Sequence, residues 1–338
     1  MIYINIYGIK VKVTIQNNRL EIFVRQYYAL FLVDILDDVD LEIYIDKYGY
    51  FWKPSMLDDL SHYTTVWDDI KVDFKNKKYF FRNQEISGLL TFENNWKTVV
   101  RWYLCPRKIH HILHIFLQWF KRIDKYYNRF IVKSLIHDPI FILLEKKLSI
   151  NILHATAVTN WTKTFIFTGL WWSWKSTLAS LFLAKKWYKI LSDNYCLVKD
   201  NLLYPFPELP RITKETANLL WIEAWDKADW IKSYLKNELS WLKKSYHIDK
   251  VFICSYAQKS SLMALTEKEK VFELLFAINN YTKEFPEYLN LAMLALMDQF
   301  NTWRQRILSL EKFTHSNKFF LLQNDKDLNS NLETIENV

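Results

Sequence analysis

Only four glycines occur among the 338 residues of this chain, where an average protein spends about 7 % of its length on glycine. A domain of this size cannot close its tight turns with so little of the one residue that takes positive φ freely. Cysteine is scarce too: Cys105, Cys196 and Cys254 lie far apart, without C-x-x-C spacing, which gives neither a zinc site nor a disulfide framework. A reducing, cytoplasmic setting is the expectation. No stretch approaches about 18 uninterrupted apolar residues, so no membrane span is expected. The segment Met1-Ile2-Tyr3-Ile4-Asn5-Ile6 alternates like a strand and lacks the basic flank and small-residue cleavage site of a signal peptide. The formal charge is +8, but basic residues are spread along the chain rather than gathered in a block, so no nucleic-acid partner is expected.

What the chain has in excess is tryptophan, fifteen of them. Glycine and tryptophan together make up close to an ordinary glycine share. The positions of the tryptophans match that idea. Asn95-Trp96 sits between apolar stretches at 89–92 and 98–102, where Asn-Gly is the strongest short hairpin signal. Asn160-Trp161 repeats the arrangement between 152–158 and 164–167, and Trp187 follows a helical pattern ending in Lys185-Lys186, the place of a left-handed helix-ending glycine. The physical hypothesis is a gene that uses UGA as a glycine codon, rendered under a table that reads it as tryptophan. Under it, Trp102, Trp119 and Trp303 are the candidates for genuine tryptophan. The alternative is a tryptophan-rich protein with aromatic clusters, which leaves the turn positions unexplained.

Half the residues are apolar, enough to fill two domains of which one holds a sizeable α/β core. Residues 1–148 alternate in short stretches at 3–15, 20–25, 41–45 and 79–82, predicting a β-rich α+β accessory domain. A helical spacing runs over 106–127. His110 and His114 fall four apart on it, but no third ligand is nearby, so packed or surface histidines are expected rather than a metal site. Residues 149–325 follow a different order: strand 150–158, strand 163–168, loop, helix 175–186, strand 188–192, then a hairpin of 195–198 with 202–204. That order predicts an α/β nucleotide-binding core. Thr266-Glu267-Lys268-Glu269 reads as a capping box, 288–297 as a further helix, and the lysine-rich 230–250 as a solvated helix face. Residues 326–338 read as a polar tail.

The segment that carries chemistry is Gly169-Leu170-Trp171-Trp172-Ser173-Trp174-Lys175-Ser176-Thr177, between the strand 164–168 and a helical pattern. With glycine for tryptophan it becomes G-L-G-G-S-G-K-S-T and satisfies G-x-x-x-x-G-K-[ST] in the context that motif requires. Phosphate oxygens must reach successive backbone N–H groups, so the loop needs residues without side chains. Lys175 would reach the β- and γ-phosphates of ATP. Ser176 would hold Mg²⁺, with Thr177 beside it in the first helical turn. An indole at 174 would occupy the space the phosphates need, so the sequence taken literally predicts a blocked site.

These residues also carry a resemblance. The strand Leu153-His154-Ala155-Thr156-Ala157-Val158, the loop above, Tyr188-Lys189-Ile190-Leu191-Ser192-Asp193-Asn194 and Tyr204-Pro205-Phe206-Pro207 together resemble the HPr serine kinase/phosphorylase group. Its members share a phosphoenolpyruvate carboxykinase-like nucleotide domain. The resemblance covers roughly 150–335 and is densest over 150–212. It implies that His154 lies near the transferred phosphate, that Asp193 is the general base for the acceptor hydroxyl, and that Asp193 and Asn194 stand with Ser176 at the metal. The family has a second Asp where this chain has Asn194, and the HPr-contacting signature is not found. The expected function is therefore phosphoryl transfer to a hydroxyl, on a protein serine such as that of HPr or on a small alcohol. A nucleotide-binding accessory protein of a peptide-modification pathway is the alternative. The sequence is compatible with a homo-oligomer.

Overall fold

The computed structural model describes residues 1–45, 61–67, 70–82, 86–95, 97–106, 132–170, 173–185, 187–206, 211–220, 224–227, 232–235, 245–281, 301–325 and 327–336. The expected helix at 106–127, apart from Pro106, which ends a strand, and that at 288–297, with His110 and His114, and also Trp96, Trp119, Trp171 and Trp172, lie outside them. The chain is mixed α/β and divides into two units: Met1–Leu144 with Glu287–Trp303, and Glu145–Pro286 with Arg304–Val338. No helix of the described residues is long and apolar enough to cross a membrane.

Among the described residues the first unit holds nine strands: β1 (Ile2–Ile6), β2 (Ile9–Ile15), β3 (Leu32–Val33), β4 (Leu41–Ile45), β5 (Thr64–Trp67), β6 (Ile70–Asp73), β7 (Lys78–Arg82), β8 (Ile86–Asn95) and β9 (Lys97–Pro106). They form one sheet in the order β3-β1-β2-β4-β9-β8-β7-β6-β5. Strict alternation of buried and half-buried residues in β1, β2 and β4 marks a sheet packed on one face. The alternating stretch at 20–25 is not a strand. It lies in the helix α1 (Asn18–Tyr27), where Asn17 caps the N-terminus, Leu20 and Val24 bury one face, and Glu21 and Arg25 pair one turn apart. Period-four burial and a cap override the short alternation.

The helix α2 (Asp138–Leu148) carries the chain from the first unit into the second, where it leads to β10 (Asn151–Thr159) and β11 (Thr164–Thr168). Then follow α3 (Lys175–Lys185), β12 (Lys189–Ser192), β13 (Tyr195–Lys199) and β14 (Leu202–Tyr204). A small sheet of β15 (Arg211–Thr213), β16 (Ala224–Lys227) and β17 (Lys232–Leu235) comes next, with α4 (Lys214–Leu220) between its first two strands. The lysine-rich stretch expected as a helix face thus supplies β17 and then β18 (Tyr246–His247); its remaining lysines at 236, 243 and 244 fall outside the described residues. The chain closes with β19 (Lys250–Tyr256), β20 (Ser261–Leu265), α5 (Lys268–Tyr281), α6 (Asn301–Ser316), β21 (Phe319–Asn324) and α7 (Leu328–Glu336). The expected polar tail therefore carries a helix, because Leu332 and Ile335 fall on one face and bury in the core.

The main sheet runs β18-β14-β13-β10-β11-β19-β21-β20, with β12 also on β10. β11 is antiparallel to β10 but parallel to β19, which is parallel to β21. Every residue of β10 and β11 is buried, as expected of strands covered on both faces. Phe165 and Phe167 face α3 and α7, through Leu178, Phe182, Leu332 and Ile335. Ile166 faces α5 and α6, through Leu275, Ile278, Leu310 and Phe313.

Positive φ falls on a small set of non-glycine residues, and three are tryptophans: Trp161 at 78°, Trp174 at 65° and Trp187 at 56°. The other described tryptophans, Trp67, Trp102, Trp225 and Trp303, are not among them. Trp161 sits in the turn joining β10 and β11, whose corner is held by Asn160 Oδ1 accepting from the Thr162 and Lys163 amides. Trp187 follows α3 and leaves 93 % of its surface exposed. An L-residue in this region costs about 1–2 kcal/mol relative to the right-handed one, and glycine avoids that cost.

Candidate functional site

Loop 169–174 leaves the carboxyl end of β11, beside the carboxyl end of its parallel neighbour β19, itself parallel to β21. In open α/β sheets this is the crevice where ligands bind. Gly169 has φ +147°, and a Cβ there would stand 2.5 Å from the Cys254 carbonyl oxygen and 2.8 Å from Ser173 Oγ. The next strand's backbone thus forms a wall against which only glycine fits.

Lys175 opens α3 and folds back over the loop. Its Nζ donates to the carbonyls of Gly169 at 3.0 Å and Leu170 at 2.9 Å, and to Ser173 Oγ at 3.3 Å. Ser173 Oγ in turn donates to the Leu170 carbonyl at 2.7 Å. Lys175 is only 9 % exposed, its ammonium held by these carbonyls. Trp174 precedes the helix, with its carbonyl accepting the first helical bond from the Leu178 amide. The loop is anchored from below by Asn324, the last residue of β21, whose Nδ2 donates to the Ser173 carbonyl at 3.2 Å.

Asp193 is delivered by a break in the sheet. β12 and β13 run along the same edge of β10: Ser192 pairs with Ala157 and Tyr195 with His154. Asp193 and Asn194 lie between these two pairs, opposite Ala155 and Thr156, and Asn194 takes φ +74°. Asn is among the few residues that enter this region at low cost. Asp193 Oδ1 accepts from Thr156 Oγ1 at 2.8 Å and from Ser176 Oγ at 2.9 Å. The Ser192 hydroxyl accepts the Phe206 amide at 2.9 Å, fixing the Tyr-Pro-Phe segment against the same turn.

His154 lies two residues before Thr156, so period two puts both on one face of β10. That face is the one from which Val158 packs with α3. The backbone of His154 is held on both sides, its N–H by Asn279 Oδ1 at 3.2 Å and its carbonyl by Thr168 Oγ1 at 3.0 Å. The structure therefore joins Thr156, Ser176 and Asp193 by hydrogen bonds, and gathers Gly169, Leu170, Ser173 and Lys175 in one loop. Thr177 sits half-buried in the first turn of α3, and Trp171 and Trp172 lie outside the described residues.

Three residues of this arrangement carried no role in the sequence reading. Thr156 had a signal, its spacing of two from His154. Asn324 had none, since it meets Ser173 from 151 residues away. Cys254 is buried beneath the loop, and burial pushes its thiol up to about 12 against the opposing pull of Lys175 and the Asn324 hydrogen bond. Among the described residues no cluster of three or more His, Cys, Asp or Glu forms a metal cage. The oxygen donors Ser176 and Asp193 instead fit Mg²⁺, which takes one or two protein oxygens and completes its shell with water and phosphate. Neither a family model nor a curated protein matches the chain.

Proposed function

We propose that the second unit is an HPr kinase-like nucleotide domain that binds ATP through loop 169–177 and passes its γ-phosphoryl group to a hydroxyl acceptor. The proposal includes glycine at positions 171, 172 and 174 of the natural chain. The observation that carries it is the Ser176–Asp193–Thr156 cluster at the mouth of a loop that folds around Lys175. A P-loop hydroxyl bonded to a strand-end aspartate is the pair that holds Mg²⁺ beside a triphosphate. Mg²⁺ there would neutralise charge on the phosphates. Lys175 would exchange its loop carbonyls for phosphate oxygens, and His154 would approach the transferred group from the same face of β10. Asp193 would take the acceptor proton as the new P–O bond forms.

The positive φ at Trp174 supports glycine there on grounds independent of the motif, as it does at Trp161 and Trp187. The acceptor is a protein serine or a small alcohol. The test is ATP turnover by protein carrying Trp171→Gly, Trp172→Gly and Trp174→Gly, beside the same protein with Asp193→Asn. Turnover that Asp193→Asn abolishes supports the kinase. Nucleotide binding without turnover, indifferent to that change, supports the second reading, a nucleotide-binding accessory protein. Asn194 favours that reading, because an amide stands where the resembling kinases have a second carboxylate.

A further inference from the structure

We infer that Asn324, on the last strand of the sheet, is a positioning residue that presets the phosphate-binding loop. The inference rests on the nucleotide-binding reading above and extends it to a residue outside the motif. β21 is otherwise apolar towards α3: Phe320 and Leu322, at the alternate positions before Asn324, pack in that core. Asn324 continues the same face and is wholly buried. A buried amide on an apolar face needs a reason, since each polar atom left unmatched there is costly. Its Nδ2 donates to the Ser173 carbonyl, and its Oδ1 is buried without a hydrogen-bond partner. The side chain is thus retained for its donor, although its acceptor is not satisfied.

The consequence follows from peptide geometry. The Ser173 carbonyl and the N–H of residue 174 share one planar unit, and in a trans peptide they point in opposite directions; no cis peptide occurs among the described residues. By drawing the carbonyl down towards the sheet, Asn324 turns the N–H of residue 174 away from it, to the side from which a phosphate would approach the start of α3. The second lock is the backbone of β21 itself, since the Asn324 carbonyl accepts from the Ala257 amide at 2.8 Å and so fixes the strand end to the segment after β19. Asn324 touches no phosphate. It sets the direction of a group that does.

The test uses protein with glycine at 171, 172 and 174, titrated with tripolyphosphate by calorimetry, and two variants of it. Asn324→Leu fills the same volume with apolar atoms. It is expected to melt no lower than its parent yet bind about tenfold more weakly, the weight of one lost hydrogen bond. In Asn324→Asp a protonated carboxyl donates to the Ser173 carbonyl as the amide does, whereas a carboxylate repels it. Its affinity relative to the parent is expected to be near normal at about pH 5 and to fall as pH rises to about 8. Equal binding by the parent and Asn324→Leu overturns the inference, as does a parent-to-Asp affinity ratio that is flat with pH. A parent that binds no tripolyphosphate overturns the nucleotide reading itself, and this inference with it.

Discussion

Ser176 Oγ donates to Asp193 Oδ1 across 2.9 Å, and that bond ties the first turn of α3 to the end of β12. The same oxygen accepts from Thr156 at 2.8 Å. Two hydroxyls on two different elements thus fix one carboxylate oxygen, 5 % of whose residue is exposed. Thr156→Val keeps the shape and removes one donor. In protein with glycine at 171, 172 and 174, the kinase proposal expects it to lower ATP turnover about tenfold, with Thr156→Ser restoring most of it. Unchanged kcat in that Thr156→Val protein would show that this bond does not orient Asp193 for the proposed proton transfer.

Strain at the tryptophans gives a prediction that needs no nucleotide. Trp161→Gly and Trp187→Gly each release a left-handed residue, the first about half exposed and the second almost fully, and each is expected to raise stability by about 1 kcal/mol in urea titrations. Ordinary tryptophan-to-glycine changes at other backbone angles destabilise. A loss of stability at both sites would remove the argument that these turns were built for glycine. The mass of the peptide covering 164–185 from the native organism is expected to show glycine at 171, 172 and 174.

The core of the second unit was legible because its signals were local. The hairpin at Asn160, the helix after Lys175 and the strand ending at Ser192 rest on turn chemistry, capping and short apolar runs, all within a few residues of one another. The helix at 20–25 was misread because six residues of mixed periodicity fit a strand as well as a turn and a half of helix; Asn17 and the buried Leu20–Val24 pair decided it. In the lysine-rich stretch 230–250, pairing with β15 and β16 draws Lys232–Leu235 into a strand. Ser176 belongs to the loop motif, and Asp193 follows from the family resemblance. The break between β12 and β13 that delivers Asp193, and the bond from Asn324, depend on pairings between distant strands that no local pattern encodes.

Asn194 serves a backbone role that its amide chemistry alone does not reveal. At φ +74° glycine is the natural replacement, and Asn194→Gly is expected to melt within a degree or two of the parent. Asn194→Val, β-branched and confined to negative φ, is expected to cost about 2 kcal/mol. Equal stability of the two variants would mean that the turn at Asp193 relaxes without a left-handed residue.

Cys254 gives the chain an alkaline weakness. Its thiol is raised from 9.0 to about 12, chiefly by burial. A group raised in the folded state stabilises most fully below its unfolded value, and that contribution falls as pH climbs towards the folded value. The stability difference between the parent and Cys254→Ala is therefore expected to shift in favour of the variant between pH 9 and about 12. A difference constant across that window would contradict the burial of this thiol under the loop.

Calorimetric titration of MgADP into two proteins, one with tryptophan at 171, 172 and 174 and one with glycine at all three, tests the central claim most directly. The glycine protein is expected to bind one equivalent and the tryptophan protein none, on the expectation that indoles at 171, 172 and 174 keep phosphate from the loop; in the structure the Trp174 side chain is half-buried against the core of Phe165 and Phe182. Failure of the glycine protein to bind, or equal binding by both, would contradict the account of this loop as a nucleotide site.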